Sequence, residues 1–85
     1  MTSYPEVSRV VYNCDPESLG CVTQDDYAAA FVRECRGRFP NASVACRFHA
    51  GMSCVLSLES ELRDDSRAHE AVLHCASEAW LRCVA

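Results

Sequence analysis

Seven of the 85 residues are cysteine, and thiols do three kinds of chemistry: they cross-link, ligate metals and act as nucleophiles. The spacing favours cross-linking. Cys46 and Cys54 are eight positions apart, and so are Cys75 and Cys83. The midpoint of Cys54 and Cys75 falls between Asp64 and Asp65, as does the midpoint of Cys46 and Cys83. Both aspartates sit in Arg63-Asp64-Asp65-Ser66, the most turn-like stretch of this half of the chain. A chain that folds back there as two antiparallel helices brings Cys54 to Cys75 and Cys46 to Cys83, a two-rung disulfide ladder. Helix axes normally lie about 8–10 Å apart, whereas disulfide-bonded Cα atoms lie about 5.5–6 Å apart. The rungs therefore need small neighbours, which Ala45, Ala50, Gly51, Ala76 and Ala79 supply. The same mirror arithmetic sets Leu56 opposite Leu73 and His49 opposite Trp80. Of the remaining thiols, Cys35 is expected to pair with Cys14 or Cys21, leaving one over.

The other two chemistries fit less well. Structural zinc sites want ligands two to four residues apart, twice over, and no Cys-x2-Cys occurs. His49, His69 and His74 have no spacing that demands a metal, so no metal or other cofactor is expected. A nucleophilic thiol needs a base beside it. His74 precedes Cys75, but neighbours on a helix diverge by about 100°, so the two make a poor pair. Glu59, Glu61, Asp64 and Asp65 form an acidic cluster whose ordinary reading is a solvated turn. Asn41-Ala42-Ser43 matches the N-glycosylation sequon, and also reads as a helix cap. No catalytic residue is assigned, and the chain is read as not an enzyme.

The elements that would position these residues read as all-α. Residues 1–23 form an irregular N-terminal arm, with Val7–Tyr12 as a short extended segment and a turn-rich stretch from Cys14 to Cys21. Residues 24–85 form a small helical domain. Thr23 caps its first helix, with Asp26 at the capping-box position. Tyr27, Ala28, Phe31, Val32 and Cys35 recur at helical spacing, and the helix should end near Gly37, before Pro40. A hairpin of two longer helices spans 41–84. Its first arm carries an apolar stripe of Val44, Phe48, Met52, Val55 and Leu62. Ser66 caps its second arm, with Ala68, Val72, Leu73, Cys75, Ala76, Ala79 and Trp80 along the inner face.

Net charge is −4 and the pI about 5.2. Only Arg33, Arg36 and Arg38 cluster among the basic residues, as a solvated helix end or a face for an acidic partner or lipid headgroups. The basic stripe of a nucleic-acid binder is missing. No apolar run reaches the 18–20 residues of a transmembrane helix, and the first twenty residues lack the pattern of a secretory signal. Cysteine density points to an oxidising compartment, and the mitochondrial intermembrane space receives proteins without a cleaved signal.

A helical hairpin with a cysteine pair on each arm, over residues 38 to 84, resembles the coiled-coil-helix-coiled-coil-helix (CHCH) proteins of that compartment. Here seven residues separate the paired cysteines where the family usually has nine. Arg38-Phe39-Pro40-Asn41 before Cys46 is also similar to the segment leading into the hairpin of a small cytochrome c oxidase subunit. The resemblance implies a non-enzymatic accessory subunit of a respiratory-chain complex, peripheral to the inner membrane on its intermembrane-space side. Such a subunit would act as a disulfide-rigidified clip held by protein–protein contacts, its arm running over a neighbour. No nucleic acid or small-molecule substrate is expected. A secreted disulfide-rich signalling or effector protein, with a glycan on Asn41, is the alternative, and a free CHCH-like assembly factor a third.

Overall fold

A computed structural model describes residues 3–51 and 55–84. It has strand β1 (Val7–Cys14), a 3-10 turn (Pro16–Leu19), helix α1 (Gln24–Arg38), strands β2 (Ser43–Phe48) and β3 (Val55–Ser60), and helix α2 (Ser66–Val84). The strands form one sheet in the order β2-β1-β3, with β2 parallel and β3 antiparallel to β1. The architecture is therefore α/β, and the all-α reading is corrected. Helix α1 crosses over between the two parallel strands, as a parallel pair requires.

The correction lies in residues 41–62. Val44, Cys46 and Phe48 alternate with Ser43, Ala45 and Arg47, a period of two. Leu56 and Leu58 likewise alternate with Val55, Ser57 and Glu59. A spacing of four, as from Val44 to Phe48, is even and so satisfies strand and helix alike. The chain also turns at Gly51, whose φ of 75° leaves the helical region. With strands and no helix among the described residues of this segment, the helical hairpin does not form. Met52 and Cys54 lie outside the described residues.

The segment read as an arm holds the centre of the sheet. On one face of β1, Val10 stands between Val44 and Leu58, Tyr12 between Cys46 and Leu56, and Cys14 beside Phe48. A bulge between Val7 and Arg9 shifts the register against β3, so that Val7 and Val10 are both buried although three residues apart. Both helices cover this face. Phe31 of α1 is fully buried and stacks between Tyr12 and Tyr27, with ring centroids 5.3 and 6.4 Å away. The Tyr27 hydroxyl crosses to α2 and donates to the Ala76 carbonyl at 3.1 Å.

Both helices follow their local signals. The Thr23 side chain accepts the Asp26 N–H at 3.2 Å to start α1. Phe39, fully buried, ends it by donating its N–H to the Cys35 carbonyl at 2.7 Å. At α2, which begins at Ser66, the oxygen comes from Asp64 and not from Ser66, the residue read as its cap: Asp64 Oδ1 accepts the Ser66 N–H at 3.0 Å. No described helix is long and apolar enough to cross a membrane.

Candidate docking surface

Helix α2 presents two apolar faces of different kinds. Its buried face consists of Val72 and the smaller Ala68, Ala71, Cys75, Ala76 and Ala79. The bulk on that side comes from Tyr27, Phe31 and Phe39, which leave room for little else between the helices. The largest apolar residues of α2, Leu73, Trp80 and Leu81, point outward, and so does Val84. Leu73 is 51%, Trp80 40%, Leu81 52% and Val84 42% exposed. Together with Ser77 they fall at positions i, i+4, i+7, i+8 and i+11, one stripe of a helix.

Beside this stripe lies an apolar cavity of about 370 Å³, between α2 and the 3-10 turn. Cys14, Leu19 and Tyr27, all buried, form its floor, and Ser77, Trp80 and Leu81 its rim. Local chemistry holds the turn in place. Asp15 caps it by accepting the Glu17 N–H at 3.0 Å, and the Ser18 hydroxyl donates to the Asp15 carbonyl at 2.6 Å. Ser18 Oγ is also 3.4 Å from Cys14 Sγ. A preformed pocket beside an exposed tryptophan is what a partner side chain can fill, and buried Trp and Tyr anchors dominate protein interfaces. Covering a half-exposed leucine contributes about 1 kcal/mol by area.

The cysteines lie elsewhere than the ladder requires. Cys21, Cys35, Cys75 and Cys83 are thiols, with Cys21 exposed, Cys35 and Cys75 buried and Cys83 half-buried. Cys46 is on β2 rather than on a helix facing Cys83, so the 46–83 rung is corrected. The 54–75 rung includes Cys54, which lies outside the described residues. Cys35, expected to pair with Cys14 or Cys21, is a thiol whose side chain hydrogen-bonds with Cys75 across the helix interface. That hydrogen bond and burial, with Cys75 and Cys46 adding to them, push the Cys35 thiol far above its ordinary range. This core pair is a side-chain contact between the two helices.

The remaining residues singled out in the sequence are dispersed. His74 faces solvent, 3.7 Å from Glu78, while Cys75 faces the core, so the two do not act together. His69 lies 3.5 Å from Asp65. His49 sits exposed after β2, its backbone N–H donating to the Cys14 carbonyl at 3.0 Å. Asn41 caps no helix, and its side-chain amide donates to the Pro5 carbonyl at 3.1 Å. Among the described residues no three His, Cys, Asp or Glu side chains converge as a metal site. Leu81 and Val84 were not singled out in the sequence, and Leu73 and Trp80 were read as inward. The available signal was the run of alanines at 68, 71, 76 and 79, which supplies α2 with a second apolar face.

No family model matches the chain, and no curated protein or solved structure matches it either.

Proposed function

We propose that this chain is a non-enzymatic docking module that seats the outer face of α2 on a larger partner protein. One observation carries the reading: Leu73, Trp80 and Leu81, the largest apolar residues of α2, lie on its solvent side with Val84, while its alanines, Val72 and Cys75 fill the core. Folding alone does not need them there, since each exposed residue gains little from it. The adjoining pocket gives the partner a place for an anchoring side chain. Strands β2 and β3 occupy the region on which the resemblance to CHCH proteins rested, and no mitochondrial role is carried over.

The test uses the whole chain in native extracts of its source cells. Wild type should migrate well above its own 9.4 kDa. The double variant Leu73→Glu/Leu81→Glu should migrate as the free chain while keeping its circular dichroism and melting temperature. Because Trp80 is the single tryptophan, its emission should shift to the blue when the purified complex forms. An unchanged complex in the double variant overturns the docking face.

A further inference from the structure

A second groove lies at the opposite flank of α2, where its first turns meet the end of α1. It has a volume of about 510 Å³ and is lined by Tyr4, Arg38, Arg67, Glu70, Ala71 and His74. Two features set it apart from an ordinary solvated rim.

The first is the state of its donors. Among the described residues the arginine ion pairs are Arg9–Glu59 and Arg82–Glu34, and neither Arg38 nor Arg67 belongs to one. Both side chains line the groove, and the carboxylate attracted to Arg67 is that of Asp64, outside the lining, in a chain whose net charge is −4. Tyr4 is fixed beside them. Its backbone N–H donates to the Arg38 carbonyl at 2.6 Å, and its ring stacks on buried Phe39 at 5.6 Å. The half-buried phenol thus has its position set from both ends, while its hydroxyl keeps its donor for a ligand.

The second is the position of Arg67. It is the second residue of α2, where the helix dipole disfavours a cation, and the first turn of α2 holds no acidic residue. Asp64 offsets part of this charge, and the convergence of Arg67 with a second arginine from another helix leaves positive charge in the groove that an anion can take up.

We propose that this groove binds a phosphate-type dianion, clamped by Arg38 and Arg67, with the Tyr4 hydroxyl donating to it and His74 at the rim. Guanidinium forks match phosphate oxygens in bidentate geometry. The volume falls in the range of small-molecule sites, which leaves space for an organic group on the phosphate. Glu70 is the one carboxylate in the lining, and it opposes the ligand. This site does not depend on the docking face of α2.

The experiment is an NMR titration of the full chain with phenyl phosphate and, separately, inorganic phosphate at fixed ionic strength. Saturable shifts should appear at the Arg38 and Arg67 side-chain N–H groups and at Tyr4. Arg38→Ala and Arg67→Ala should each weaken binding about tenfold or more, the loss of one charge-assisted contact. Arg38→Lys should lose part of this and serves if Arg38→Ala disturbs the fold. Glu70→Gln should tighten binding. Arg33→Ala/Arg36→Ala removes more charge outside the groove and should leave affinity unchanged. Phenyl phosphate bound at least about tenfold more tightly than inorganic phosphate assigns the site to a phosphate ester, and equal affinities assign it to free phosphate; either upholds the proposal. Shifts that do not saturate, or an equal loss in the Arg33/Arg36 variant, overturn it.

Discussion

Cys35 and Cys75 meet between α1 and α2 with both thiols out of reach of water, whereas Cys21 is exposed on the loop before α1. Thiolate exposure governs reactivity. A disulfide-exchange reagent should therefore label Cys21 within the native protein and reach Cys35 and Cys75 only on unfolding. Peptide mapping after brief labelling checks this, and early modification of Cys35 would contradict the packing. Asp64 supplies a pH-dependent contribution. Hydrogen bonds from the Ser66 backbone and then its side chain hold the Asp64 carboxyl below the usual carboxylate range. A folded-state pKa depressed in this way contributes stability above the unfolded value and loses it as pH falls through the folded one. Asp64→Ala should thus lower the melting temperature at neutral pH. The two melting curves should converge once acid has protonated Asp64 in the wild type.

At the scale of elements, α2 is informative because its two faces make opposite demands. Ala79 is fully buried and opposed by a core already filled with aromatic rings. Ala79→Leu should overpack this interface and destabilise by about 1–3 kcal/mol. Leu81→Ala, on the exposed side, should change stability by less than about 0.5 kcal/mol. Thermal or urea unfolding of the two variants measures the contrast, and the reverse order would mean that α2 is rotated. The helices were legible because their ends are written locally. Thr23 bonds the amide three residues on, and α2 begins at Ser66, the residue read as its cap, although the capping oxygen comes from Asp64. Of the strands, β1 was legible as the extended segment Val7–Tyr12, while β2 and β3 were not, because they are recognised by their pairing with β1. Arg9 pairs with Ser43 on one side and with Glu59 on the other, and nothing local to residues 43–60 encodes either partner.

For the molecule as a whole, the central position of β1 sets the expected hierarchy of stability. It pairs on both edges, and Val7 and Val10 are fully buried. Among the strands, its amides should exchange most slowly, through global unfolding, while amides on the outer edges of β2 and β3 exchange through local opening. Hydrogen-exchange mass spectrometry reads this directly, and fast exchange across Val10–Tyr12 would displace β1 from the centre. The two surfaces differ in kind: an apolar stripe with a pocket along the outside of α2, and a cationic groove on its other flank. Composition, the helix ends, the inward Tyr27-Phe31-Cys35 face of α1 and the acidic balance were all determined by the sequence alone, since each depends on neighbours within a turn or on counting. The sheet, the partner of Cys35 and the outward aim of Leu73 and Trp80 were decided only by the tertiary structure. An even spacing of apolar residues satisfies helix and strand equally. Which of two apolar helix faces is buried depends on the bulk that the rest of the chain brings against it.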